Sequence, residues 1–227
     1  MWPLYLFTTI WYSFFHFRYV YFVIPQMDRL NRKYIKTNKF WMPSWSCYIT
    51  YLSQFANLVY SFLKFIEFYF DRQLVDSFYL TYFWYSILFP LTTLVLLLYW
   101  SLYLISPSLV QNSVSIESSY FWSIFIKHAM HSVPWVFLVA TKFIDNNESN
   151  QSSQDLDFFI VLKVCFLMTI LLNIWMYLVK KNSGSWTYPI LNVLWNSQFH
   201  WKYVIFSIVL LLVVQILACL GLFLCSK

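Results

Sequence analysis

The chain has 227 residues, of which 60% are hydrophobic and only 11% charged, with a formal net charge of +6. A water-soluble domain carries roughly a quarter charged residues, so this chain lacks the polar surface to cover itself in water. The positive charge collects in short loops between apolar runs, which reads as a signal of membrane orientation and argues against a nucleic-acid partner.

A helix that spans the hydrocarbon needs about 20 apolar residues. Stretches of this kind at 2–24, 42–69, 78–105, 119–143, 157–180 and 200–224 account for most of the chain. They predict an all-α, polytopic transmembrane bundle of about six spans, organised as a single domain over 1–227. The alternation needed by a transmembrane barrel is absent. The first stretch has neither a basic n-region nor a small-residue cleavage site, so it reads as a retained span.

The connections carry the expected punctuation. The first, from Pro25 to Lys39, is polar and basic; the second, around Asp71-Arg72-Gln73, is short. The third runs from Ser106-Pro107 to Ser118-Ser119, and the fourth, from Asp145 to Ser153, is the most polar stretch. The fifth is Lys180-Lys181-Asn182-Ser183-Gly184-Ser185. Connections one, three and five, with their flanks, hold Arg29, Arg32, Lys33, Lys36, Lys39, Lys180, Lys181 and Lys202, whereas the opposite side holds Arg72, Lys142 and Lys227. This bias places the odd-numbered loops in the cytosol and both termini in the lumen or outside the cell, in an endomembrane such as the endoplasmic reticulum or in the plasma membrane. Two glycosylation sequons, at Asn147 and Asn150, fall in loop four on the expected luminal side.

The cysteines at 47, 165, 219 and 225 lie in apolar runs without C-x-x-C spacing, so no disulfide framework or zinc knuckle is expected. With two glycines in the chain, close G-x-x-x-G packing and glycine-broken transporter helices are disfavoured.

Ionisable residues inside spans are costly and draw attention as functional candidates. They are His16, Arg18, Lys64, Glu67, Lys127, His128, His131 and Lys163. Lys64 and Glu67, spaced i,i+3, read as a helix-surface ion pair. Arg18 and Lys163 read as snorkelling side chains. In Lys127-His128-Ala-Met-His131-Ser132 the basic groups share one helix face, and His131 falls near the middle of its expected span. Pro134 removes the donor for the Met130 carbonyl and bends the helix beyond His131. An imidazole at that depth serves either proton transfer or an interhelical hydrogen bond to a hydroxyl. H-x-x-H can supply two metal ligands, but four histidines cannot assemble a membrane di-iron centre, so neither metal nor other cofactor is expected. Span two enters the membrane from the same side as span four and offers Thr50 among several hydroxyls; a threonine becomes a nucleophile only when a base takes its proton.

Several stretches resemble the androgen-induced gene family of multi-pass membrane proteins. Ser44-Trp45-Ser-Cys-Tyr-Ile-Thr50-Tyr51 is similar to the family's threonine motif, with one extra residue between Trp45 and Thr50. Leu88-Phe89-Pro90 with Tyr99-Trp100 resembles its third helix. Lys127-His128-Ala-Met-His131-Ser132 is similar to its N-H-(A/G)-M-H-T element, with Lys127 and Ser132 as departures. Ser183-Gly184-Ser-Trp186-Thr-Tyr188-Pro189 resembles its T-G-x-W-V-Y-P element. The resemblance implies hydrolysis of fatty acid esters of hydroxy fatty acids, with Thr50 as nucleophile, His131 as catalytic histidine and His128 as its companion. Lys127 becomes a candidate contact for a substrate carboxylate, and the partner becomes a lipid entering from the bilayer. The rival expectation is a non-enzymatic membrane protein that binds lipid or a protein partner.

Overall fold

A helix closes its own backbone hydrogen bonds, which is what a chain this apolar requires in lipid. The structure, a computed structural model, describes residues 2–18, 49–69, 77–107, 120–148, 157–183 and 200–225. Among these residues it is all-helical, without strands. α1 is Trp2–Arg18 and α2 is Ile49–Tyr69. α3 is continuous through Ser77–Phe83, a π-turn at Trp84–Leu88, and Phe89–Ile105. α4 is Tyr120–Glu148, α5 is Phe158–Ser183 and α6 is His200–Cys225.

Among the described residues, three segments are long and apolar enough to cross a membrane: Tyr79–Ile105, Phe158–Lys181 and Trp201–Leu224. Thus three of the six expected spans qualify by length and composition alone. The other described helices differ for physical reasons. α2 buries Ser53, Gln54, Asn57 and Ser61, which lowers its hydropathy while placing those groups inside the bundle. α4 extends to Glu148, five residues past the expected end at 143, and carries its polar groups on the same chain segment as His128 and His131. His131 stands three residues before Pro134, the midpoint of α4.

The π-turn in α3 was not foreseen. Pro90 has no N–H for the Ser86 carbonyl, and a wider turn accommodates the lost bond. The Phe89 N–H bonds the Trp84 carbonyl across this turn. Trp84 stacks on Phe89 at 5.1 Å between centroids and meets Tyr85 edge-on at 4.8 Å. The helix then ends at Ser106, whose N–H bonds the Leu102 carbonyl.

α3 is the centre of the packing. One apolar cluster joins it to α5 and α6 through Leu91, Leu94, Cys165, Leu210 and Val214. The other joins Trp84 and Leu88 to Tyr5 of α1, Tyr60 of α2 and Leu138 of α4. Gly221 lets α6 approach α3 closely: a Cβ there would lie 2.6 Å from Phe89 Cδ1. That packing role is the use this sequence makes of one of its two glycines. Cys165 and Cys219 are free thiols. Cys47 lies outside the described residues, as does the side chain of Cys225.

Candidate active site

Helical spacing puts Thr50, Gln54, Asn57 and Ser61 along one stripe of α2, and from Gln54 onward the stripe is buried. α3 and α4 supply its partners. Ser53 and Thr92 hydroxyls are 3.1 Å apart, and Asn57 Nδ2 donates to Thr92 Oγ1 at 2.9 Å and to the Ser53 carbonyl at 2.8 Å. Trp135 Nε1 donates to Thr93 Oγ1 at 3.1 Å, joining α4 to α3. With no water in the hydrocarbon, such cross-helix bonds hold the polar groups of three helices against one another.

At one end of this stripe, Thr50 Oγ1 lies 3.5 Å from His131 Nε2. Both residues are half-buried. The separation is at the long limit of a hydrogen bond. Two residues 81 apart in sequence, which the family resemblance pairs, thus face each other.

The imidazole of His131 is held by its face. Tyr99, buried on α3, stacks on it with centroids 3.7 Å apart and planes 12° from parallel. The same tyrosine places its hydroxyl 2.9 Å from His128 Nδ1, in hydrogen-bond contact. His128 in turn lies parallel to Trp100 at 5.0 Å and edge-on to Tyr103 at 4.8 Å. Trp100 Nε1 donates to Ser132 Oγ at 3.0 Å. The two histidines therefore share one aromatic support from α3. His128 touches Tyr99 and Trp100, with its Nδ1 on a tyrosine hydroxyl.

The remaining candidates fall elsewhere. Lys127 precedes His128 on α4, and its side chain lies outside the described residues. Asn147 falls in the last turn of α4 with its side chain outside the described residues; Asn150 lies wholly outside them. The side chains of His16 and Arg18 are likewise outside. Lys64 and Glu67 form the expected ion pair, Nζ to Oε2 2.8 Å. Lys163 is exposed on α5. Among the described residues no group of three or more His, Cys, Asp or Glu side chains is arranged to hold a metal. A small apolar cavity between α3, α5 and α6, bounded by Ser86, Leu94, Cys165 and Val214, lies apart from the Thr50–His131 pair.

A family model described as FAR-17a/AIG1-like protein matches residues 5–223. The chain belongs to the FAR-17a/AIG1-like family. This is the androgen-induced gene family that the threonine, histidine and tryptophan-tyrosine-proline elements resemble, and the match runs through α1 to α6. No curated protein and no solved structure matches the chain. Within the family framework, the residues missed from sequence are Gln54, Asn57 and the stacking role of Tyr99. The first two were legible as polar positions four and seven residues after Thr50.

Proposed function

We propose that this protein is a membrane-embedded lipid esterase that hydrolyses fatty acid esters of hydroxy fatty acids, with Thr50 as nucleophile and His131 as base. The observation that carries the reading is the approach of Thr50 Oγ1 to His131 Nε2 at 3.5 Å, at the end of a belt of cross-helix hydrogen bonds. The family's implied chemistry and the apolar surroundings support it.

In the first half-reaction the Thr50 oxygen attacks the ester carbonyl carbon while His131 Nε2 takes the hydroxyl proton. The tetrahedral intermediate collapses by breaking the bond to the alkoxy oxygen, which receives that proton and leaves as the hydroxy fatty acid. The acyl group stays on Thr50 as an ester. Water then attacks this ester, giving its proton to His131, and the proton returns to Thr50 as the free fatty acid departs. The net reaction consumes one ester and one water. Stacking on Tyr99 fixes the plane of the imidazole and sets the phenol π-face against the imidazolium formed in each half-reaction, which favours the cation. His128 anchors Tyr99 in that position. Lys127, one residue before His128, is the proposed contact for the substrate carboxylate. The substrate enters from the bilayer, and no cofactor is called for.

The experiment is hydrolysis of a branched fatty acid ester by membranes carrying wild type, Thr50→Ala or His131→Ala, with fluorophosphonate labelling of Thr50 as the direct readout. The expected result is labelling and hydrolysis in wild type and neither in Thr50→Ala. Full hydrolysis by both variants would overturn the Thr50–His131 mechanism, whereas no hydrolysis by wild type above membranes lacking the protein would leave the non-enzymatic reading, a membrane protein that binds lipid or a protein partner.

A further inference from the structure

The carbonyl of Met130 has lost its helical partner. In an α-helix it would accept the N–H of residue 134, and Pro134 has none. A carbonyl orphaned in the interior of a bilayer bundle is costly, since no water reaches it. The structure supplies a donor from another helix: Gln54 Nε2 donates to the Met130 oxygen at 3.1 Å, and Gln54 is 6% exposed. Two coincidences of position give this bond a consequence. Gln54 stands one helical turn from Thr50 on the same face of α2, and Met130 is the residue immediately before His131. A single hydrogen bond therefore ties the turn that bears the nucleophile to the turn that bears the base. At the proline itself, Tyr12 OH of α1 donates to the Pro134 carbonyl at 3.5 Å.

We propose that Gln54 is a positioning residue, which replaces from α2 the donor that Pro134 removes from α4 and so sets the register that brings Thr50 to His131. The catalytic consequence rests on the esterase reading above; the helix-to-helix tie does not. Gln54 touches neither reacting atom, and its effect passes through Met130 and the helix axis. The loss of Gln54 should matter because Pro134 is present. With alanine at 134, the Met130 carbonyl regains an N–H within α4 and no longer depends on α2.

The test is a double-mutant cycle on Gln54→Leu and Pro134→Ala in the full-length protein. Two readouts are taken, the rate constant of Thr50 labelling by a fluorophosphonate at saturating probe and thermal unfolding in detergent micelles. Gln54→Leu should lower the labelling rate constant by about tenfold with the half-saturating probe concentration unchanged, as expected when nucleophile and base are misplaced by an ångström or less. In the Pro134→Ala background the same change should cost less than about twofold, and the melting temperature should show coupling of the same sign. Equal losses in both backgrounds, or full labelling by Gln54→Leu, overturn the proposal. Absence of Thr50 labelling in wild type overturns the esterase reading instead, and the coupling in melting temperature then still decides whether Gln54 answers Pro134.

Discussion

The bundle has two sides built on different principles. Where α2, α3 and α4 meet, the contacts are polar and directional: Ser53, Asn57, Thr92, Thr93 and Trp135 bond across helices, and the Thr50–His131 pair lies at the end of that belt. Where α5 and α6 pack on α3, the contacts are apolar and the helices present much of their surface outward. Half of the apolar window in α3 is buried, against 17% in α5 and 28% in α6. Large side chains such as Leu171, Ile174, Ile208 and Leu212 are exposed along them. In a bilayer these are lipid-facing residues, since apolar surface there costs nothing. The difference teaches that hydrophobicity marks the parts of this protein that touch lipid, while polarity marks the parts that specify the fold.

The largest expected effect separates the two sides by activity. Thr50→Ala should lower ester hydrolysis by roughly 10³-fold or more, and His131→Ala by about 10²- to 10⁴-fold, the range for removing a general base. Leu171→Ala and Ile208→Ala, on the exposed faces of α5 and α6, should leave hydrolysis within about twofold, because neither helix contributes to the Thr50–His131 contact. Initial rates in membranes normalised to expressed protein check both halves. Equal losses at the two sides would erase the distinction.

The apolar side should show its importance in stability. Gly221→Ala puts a methyl group 2.6 Å from the ring of Phe89, which is buried and stacked on Trp84. Overpacking of this kind costs about 1–3 kcal/mol, to be read as a lowered melting temperature in detergent. Gly221→Ala combined with Phe89→Leu should recover part of the loss, since the smaller side chain gives the methyl group room. On the polar side, Asn57→Leu removes the donor to Thr92 and to the Ser53 carbonyl. The expected cost is about 0.6–1.7 kcal/mol, as for interhelical hydrogen bonds within bilayers. Because Asn57 lies in the belt at whose end Thr50 stands, hydrolysis should fall along with stability, whereas Gly221→Ala should lower stability alone.

How far this organisation is legible in the sequence follows from the same contrast. The apolar helices α5 and α6 were evident because composition and length are one-dimensional signals, and their described bounds fall within three residues of the expected ones. The Thr50–His131 pairing was available only through resemblance to the family; nothing in residue spacing selects Thr50 from its neighbouring hydroxyls. Pro134 announced a carbonyl in need of a donor, but the answer, Gln54, requires knowing how α2 sits on α4. The π-turn at Trp84–Leu88 escaped because a proline such as Pro90 in an apolar run does not say how the helix absorbs the missing N–H. Tyr99 escaped for another reason: in a chain that is 24% aromatic, one ring that stacks on a histidine has no distinguishing signature.

The smallest expected effect concerns Lys64 and Glu67, an ion pair on α2 that belongs to neither side of the bundle. Their charged atoms are 2.8 Å apart and the side chains are 17% and 14% exposed. Desolvation offsets much of the attraction between such groups, so the pair itself adds little, whereas a single remaining charge lacks its partner. Lys64→Met should therefore lower the melting temperature more than Lys64→Met combined with Glu67→Gln. The double change should stay within about 0.5 kcal/mol of wild type, the scale of an i,i+3 helix pair. Hydrolysis should be unchanged in both, since Lys64 lies fourteen residues and about 21 Å along the helix from Thr50. A double variant less stable than either single one would mean that the pair anchors α2, and the structural weight of this helix would then be shared between its polar stripe and its charged end.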